Sequence, residues 1–379
     1  MKISVTIQIS YSIAFHYFLS ILIIESQIHT NSAWDLAQTG LRDPYRVRHL
    51  SVQHTRVFLC ISTKRESFPS LIATNWPGSF VPLQTVIYPE RKAHANGIRS
   101  NCELIQKAIW TQVDSLGRLW VLDAGWEDVK SNITHVCPPK LLVYDLLRYD
   151  AEVLRIDCST YLTPKLAESV IVKLGTRTEP CKVEKYLFFL LPDDAHIHAY
   201  DIIEQKWHRR ALLSRKFHGI IEEQFPIKPI DITFGQQNEL LVADADGKLY
   251  ATANAQLKMK LQNRGNEIIN TNELNTQQKY GVPEINNKSN AIELELLGSL
   301  LGPSRSMLME MGTGRLFYVV PKYGAIVRSN YHRNMMAEDN EIIYITSNNI
   351  QQIFFGREGA VWLLTDRLLQ PKDRCFGNI

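Results

Sequence analysis

Polar turns that open onto unbroken apolar runs recur along this chain at a fixed distance. Starting from Gly117, Asn238 and Gly359 the sequence reads G-RLWVLDA, N-ELLVADA and G-AVWLLTD, a spacing of 121 residues each time. Self-similarity at a constant period is the mark of a repeat architecture. Three weaker copies, RVFLCIS from Arg56, KYLFFLLPD from Lys185 and GRLFYVV from Gly314, make six. A copy begins with a polar residue, often Gly or Asn, which tolerate positive φ. It continues into apolar residues without alternation, the pattern of a strand buried on both faces. Several copies are followed by a second strand: Lys140–Asp145, His196–Asp201, Lys248–Thr252 and Ala325–Asn330. The repeating unit is therefore an antiparallel hairpin that cannot cover its own apolar surface. Six such units close most economically as a ring of small sheets, an all-β, six-bladed β-propeller. A β-sandwich would show alternating strands, and these do not alternate.

The propeller is expected over residues 34–370 as a single domain. Residues 253–290, rich in Asn, Gln and Lys, break the rhythm and read as a polar inserted loop; residues 371–379 read as a short tail. At the other end, Met1-Lys2 precedes an apolar run at 13–24 that is too short to span a bilayer, which reads as a signal peptide over 1–28. The chain is then expected to be secreted, with no membrane span.

Composition narrows the chemistry. A net charge of +3 without any long run of Lys or Arg gives no footing for nucleic acid. The six Cys contain no CxxC pair, so neither a metal nor another cofactor is expected, and disulfides are favoured in an exported chain. Cys102 and Cys137 each precede strands running the same way, and Cys181 precedes the next copy, so Cys102 is expected to pair with Cys137 or Cys181; Cys60, inside an apolar run, reads as core. Asn132 and Asn287 open glycosylation sequons in loop-like stretches.

Asp123, Asp193 and Asp244 follow their apolar runs at the same place, with Asp366 one position later in the last copy. With each run taken as the inner strand of a blade, these carboxylates gather at one mouth of the channel and favour an organic amine. Alternatively, each accepts backbone N–H groups in its own turn. His196 and His198 share one face of a strand, without the third ligand that a catalytic zinc wants. No G-x-S-x-G, HExxH, P-loop or G-x-G-x-x-G pattern occurs.

One set of motifs is more specific. Pro89-Glu90, Asn96-Gly97, Asn101-Cys102, VDSLGRLWVLDAG and CPPKLLVYD at 137–145 follow in order, with FFLLPDDAHIHAYD, Trp207, LGSLLGPSRSM, GTGRLFYVVPKYGAIV and GAVWLLTDR downstream. Over residues 55–370 this resembles the yellow and major royal jelly protein family of insects. The resemblance implies a secreted six-bladed propeller that binds a small aromatic amine or catechol-derived ligand, or acts in pigmentation and hardening of cuticle or eggshell. It implies as an alternative a dopachrome isomerase of melanin synthesis, for which Asp123 and Asp193 are the acid and base candidates. Amine-binding members place polar contacts at the last blade's inner hairpin, which points here to Gln351, Asp366 and Leu368; the carboxylate series after the repeat strands adds Asp244 on the ligand side. This chain has Thr365-Asp366-Arg367-Leu368 where many members read Ser-Asn-Arg and an aromatic. Analogy with other six-bladed propellers adds a calcium-dependent lactonase, with Asp231 and Asp244 as oxygen ligands.

Overall fold

Each copy of the repeat becomes the second strand of an antiparallel sheet. The structure, a computed structural model, describes residues 45–63, 68–76, 84–95, 101–127, 136–178, 183–218, 221–252, 291–331, 335–356 and 360–365. Along the chain, β1 (Tyr45–Gln53), β2 (Arg56–Thr63), β3 (Leu71–Asn75) and β4 (Thr85–Ile87) form the first sheet in sequence order. The second contains β5 (Ala108–Val113), β6 (Arg118–Asp123), β9 (Lys140–Asp145) and β10 (Ala151–Asp157). Between β6 and β9 lies the two-stranded ribbon of β7 (Trp126–Glu127) and β8 (Val136–Cys137).

The third sheet holds β11 (Ile171–Thr178), β12 (Val183–Leu190), β13 (His196–Asp201) and β14 (Lys206–His218), with β15 (Ile221–Pro226) paired to β14. The fourth holds β16 (Pro229–Phe234), β17 (Leu240–Asp244), β18 (Lys248–Thr252) and β19 (Ile292–Ser299), and a short parallel pairing of β14 with β19 joins these two sheets into one. The fifth is β20 (Arg305–Glu310), β21 (Arg315–Val320), β22 (Ala325–Asn330) and β23 (Asn340–Ile345); the sixth shows β24 (Ile350–Phe355) and β25 (Val361–Thr365). Six repeat strands, β2, β6, β12, β17, β21 and β25, thus each lie second in one of six sheet units, and the fold is the expected all-β propeller.

The chain divides into two compact units. One comprises residues 1–113, 117–168 and 348–379, the other 114–116 and 169–347. Within the first, β1 packs against β5 and β24; within the second, β16 packs against β11 and β20. First strands of neighbouring sheets therefore lie side by side, and the repeat strand sits one place farther out.

This corrects the assignment of the repeat strand as the inner one. A second strand has ladder partners on both edges and apolar layers on both faces, so its sequence is the most uniformly apolar. Phe58, Trp120, Leu187, Val242 and Val319 are all fully buried or nearly so. The first strand has a free ladder edge, and its sequence is mixed, as in PIDITF and IQQIFF. The turns behave as expected: Gly117, Asn238 and Gly314 have φ of +74°, +59° and +73°.

Five of the six first strands share another feature, β11 being the exception. The ladder to the second strand slips between Val47 and His49 in β1, Ala108 and Trp110 in β5, Pro229 and Asp231 in β16, Arg305 and Leu308 in β20, and Ile350 and Gln352 in β24. Bulges bend a strand and re-aim its side chains, and they are common beside binding sites.

Candidate functional site

The slips put three residues in equivalent places. Trp110, Asp231 and Gln352 are each the first paired residue after the irregularity, and they lie 121 residues apart, the repeat spacing itself. In the first unit Gln352 reaches β1: Leu50 N–H donates to Gln352 Oε1 at 3.0 Å and Gln352 Nε2 donates to Leu50 O at 3.0 Å. Trp110 instead lies 6.0 Å from the His49 ring, whose Nδ1 accepts from Thr111 N–H at 3.4 Å.

In the second unit Asp231 reaches β20. Met307 N–H donates to Asp231 Oδ2 at 2.7 Å, while Ile232 N–H donates to Oδ1 at 2.9 Å. Lys173 of β11 donates from Nζ to Met307 O at 3.3 Å, so three first strands meet at one residue. Asp231 is 1% exposed and Lys173 is half-buried. Burial lifts the Asp231 carboxyl to about 6, against the opposing pull of Lys173, the two amides and Arg305. Burial lowers the Lys173 ammonium, with Asp231 acting the other way. A carboxyl and an amine both moved toward neutral pH are the equipment of general acid–base chemistry.

The residues singled out by the sequence have varied surroundings. Gln351 is half-buried and falls in the gap of the β24 ladder, beside the tie made by Gln352. Asp366 and Leu368 lie outside the described residues, as do Asn132, Asn287, Cys181, the segment 253–290 and both chain ends.

Asp123, the buried end of β6, accepts from Gln106 N–H at 2.9 Å, Lys107 N–H at 2.7 Å, Gly125 N–H at 3.1 Å and Lys140 Nζ at 2.8 Å. Lys140 also donates to the carbonyls of Cys102 and Leu104, so this carboxylate anchors the loop before β5. Asp244 ends β17 and accepts from the N–H groups of Asp246 and Lys248 and from Tyr250 Oη at 3.0 Å.

Asp193 is not equivalent to Asp123 and Asp244. It lies in the turn beyond β12 with φ of +59°, because Pro192 and a longer turn intervene before β13. Its neighbour Asp194 bridges the two histidines, to His196 Nδ1 at 2.7 Å and His198 Nε2 at 3.0 Å, and this pair holds the Asp194 carboxyl well below the usual carboxylate range. Among the described residues no three His, Cys, Asp or Glu side chains converge as a metal site.

Cys102 pairs with Cys137, with Cα atoms 5.0 Å apart, which removes the Cys181 alternative. Cys60 is buried in the core as a free thiol, as is Cys158. The residue that sequence reasoning missed is Lys173. Its signal was a lone lysine in the apolar run IVKLG, together with the 121-residue relation of Asp231 to Gln352.

Comparison with known proteins agrees with the motifs. Residues 106–225 match the profile described as Major royal jelly protein. The chain is 26% identical over 156 residues to the Dopaminechrome tautomerase of Drosophila melanogaster, covering 40% of this chain and 30% of that protein. It is 40% identical over 75 residues to Major royal jelly protein 8 of Apis mellifera, covering 20% and 16%, and 24% identical over 210 residues to Protein yellow of Drosophila yakuba, covering 53% and 36%. The matched region thus spans about a third or less of the length of these relatives. Among solved structures, YCF48 from Cyanidioschyzon merolae aligns at a TM-score of 0.44 with 9% identity, covering 86% of this chain and 82% of that one. The profile match over residues 106–225 and these relatives support the resemblance of the chain to the yellow and major royal jelly protein family.

Proposed function

We propose that this protein is secreted, binds a small catechol- or indole-derived amine, and acts in pigmentation or in hardening of cuticle or eggshell. The observation that carries the reading is the slip in β24, which takes Gln351 out of the ladder on a strand whose position is fixed from both sides. On one side Gln352 ties it to β1; on the other Phe354 packs edge-on to Trp76, which also packs against Trp362 of β25. A polar group on a rigid, aromatic-backed strand is suited to orienting a small aromatic ligand. Secretion is supported by the Cys102–Cys137 disulfide, a bond that persists in oxidising compartments.

Calorimetric titration of the full chain with dopamine and serotonin tests the reading. Saturable heat with at least one amine is expected, and Gln351→Ala is expected to weaken it about tenfold, or about 1.4 kcal/mol. No binding of either amine by the wild-type chain would sink it.

A second reading is favoured by the relative named Dopaminechrome tautomerase and by the acid–base character of Asp231 and Lys173. The protein would then shift a proton within an aminochrome. Loss of dopaminechrome colour faster than in buffer supports this, and a rate equal to buffer ends it.

A further inference from the structure

The outermost strands of the described sheets are guarded in several ways, because an unpaired edge invites pairing with another chain. β4 has only three residues, and β10 carries Glu152, Arg155 and Asp157. β14 carries Lys206, Arg209 and Arg215 and is paired by β15 over Leu213–His218, while β19 carries Glu293 and Glu295. β23 of the fifth sheet differs. Among the described strands it pairs with β22 alone, and its sequence NEIIYI holds one charge, Glu341, which is tied to Arg328.

The β23 ladder slips once, leaving Ile343 unpaired between Ile342, opposite Val327, and Tyr344, opposite Ile326. A bulge ordinarily protects an edge by turning it aside. Here the residue it lifts out is isoleucine. Ile342 is 49% exposed, Ile343 39% and Ile345 65%, and Met336, just before the strand, 61%. One exposed isoleucine needs no explanation, whereas three within four residues and a methionine beside them mark an interaction surface. The sheet itself has no use for an apolar group at Ile343, which makes no ladder pair.

The charges around the patch say what covers it. At its leading end Glu338 and Asp339 are exposed in the turn Ala337–Asp339; Glu341 beyond them is neutralised by Arg328, and Arg315 stands two strands farther in, on β21. Its trailing end lies beside the turn Pro321–Tyr323, joined by Thr346 N–H donating to Gly324 O at 2.9 Å. There Lys322 is exposed, with its Nζ 5.4 Å from the centre of the Tyr323 ring. The patch is thus acidic at one end and basic at the other. Such a layout is complementary to its own copy turned end for end, each acidic turn meeting the other's lysine.

We propose that the β23 face is a two-fold docking surface for a second copy of this chain, with Ile342, Ile343 and Ile345 at its centre and Glu338 and Lys322 paired across its rim. The two strands run antiparallel, and the contact does not depend on what ligand the protein binds. A strand of six residues with its rim is smaller than the about 20–30 residues a side of a stable interface. The dimer is therefore weak, with a Kd of about 10–100 µM, and comes apart on dilution.

Sedimentation velocity on the full chain, from about 1 µM to about 200 µM, tests this. The weight-average mass is expected to climb from that of the monomer toward twice that value. Ile343→Lys puts an ammonium at the centre of the contact, at a residue outside the ladder, and is expected to melt like wild type yet to stay monomeric throughout. Ile345→Glu, at the most exposed of the three isoleucines, carries the same expectation and replaces it if the first variant fails to fold. Lys322→Glu removes both rim pairs at once and is expected to weaken association about tenfold. Adding Glu338→Lys rebuilds the pairs with their signs exchanged and is expected to restore association to within about twofold of wild type.

A wild-type chain that stays monomeric over the whole range overturns the proposal. So does a dimer that survives both isoleucine variants, because its contact then lies elsewhere. Growth past the dimer into polydisperse aggregates overturns the two-fold arrangement, and a charge-exchanged double variant no better than Lys322→Glu overturns the end-for-end pairing that selects a second copy.

Discussion

A glutamine holding Leu50 and an aspartate–lysine pair holding Met307 occupy matching places in two units of one chain, yet only the second can change charge. The difference teaches that the repeat fixes where a first strand must be tied to its neighbour, and leaves the chemistry of the tie open. A neutral tie is indifferent to pH and to the loss of a distant partner. A charged tie is neither, because each ion depends on the other to offset its desolvation.

The largest effect expected from this contrast is that of breaking the charged tie on one side. Lys173→Met leaves Asp231 buried without its cation and is expected to destabilise the protein by about 3 kcal/mol at neutral pH, measured by urea unfolding. Adding Asp231→Gln is expected to recover most of that loss, to within about 1 kcal/mol of wild type, because the amide restores a neutral partner for Met307 N–H. If the single and double variants unfold alike, the two charges are not coupled and the contrast collapses.

The pH dependence comes next. The native Asp231 carboxyl titrates at about 6 rather than 3.8, so between those values the native state keeps a proton that the unfolded chain has released. Stability from this group is therefore complete below pH 4 and is lost as pH rises through 6, by about 3 kcal/mol in all. The difference in unfolding free energy between wild type and the Asp231→Gln, Lys173→Met double variant should follow that slope between pH 4 and pH 6. A difference that is constant from pH 4 to 7 would show that Asp231 titrates as an ordinary carboxylate.

Gln352→Ala is the neutral counterpart. It removes both partners of Leu50 at once and is expected to cost about 2 kcal/mol, by the same measurement and to the same extent at pH 5 and pH 8. A loss that varied with pH would mean that titrating groups act on the neutral tie as well.

What the sequence made legible follows the same line. The second strands could be read because burial on both faces and pairing on both edges leave little room for polar residues, as in RLWVLD and LLVAD. Their turns could be read because Gly117 and Asn238 meet a backbone need that few residues satisfy. The first strands could not, since PIDITF and IQQIFF carry no periodicity that separates them from loops, and nothing in those runs marks where their ladders slip. For that reason Asp123, at the end of a legible strand, drew attention as a site residue although Lys140 and three amides hold it in the core. Lys173 did not, because its partners come from strands 58 and 134 residues away, and only the fold brings them together.

The smallest expected effect on stability is at Gln351, and it is informative because its neighbour is Gln352. The two residues share a strand, a side-chain type and half-buried surroundings. Gln352 is fastened to β1 through both ends of its amide, whereas Gln351 is the residue that the slip leaves out of the ladder. Strands slip at a cost in ladder bonding, so a slip that recurs in first strands and here frees a polar side chain is better explained by what that side chain meets than by the sheet. Gln351→Ala should therefore leave the unfolding midpoint almost where it was, within about 0.5 kcal/mol, while amine affinity falls. Gln352→Ala should do the reverse in proportion, lowering stability first and affinity only through the loosened strand. If Gln351→Ala proves as destabilising as Gln352→Ala, both glutamines are fasteners, and the β24 slip serves the join between strands rather than a ligand.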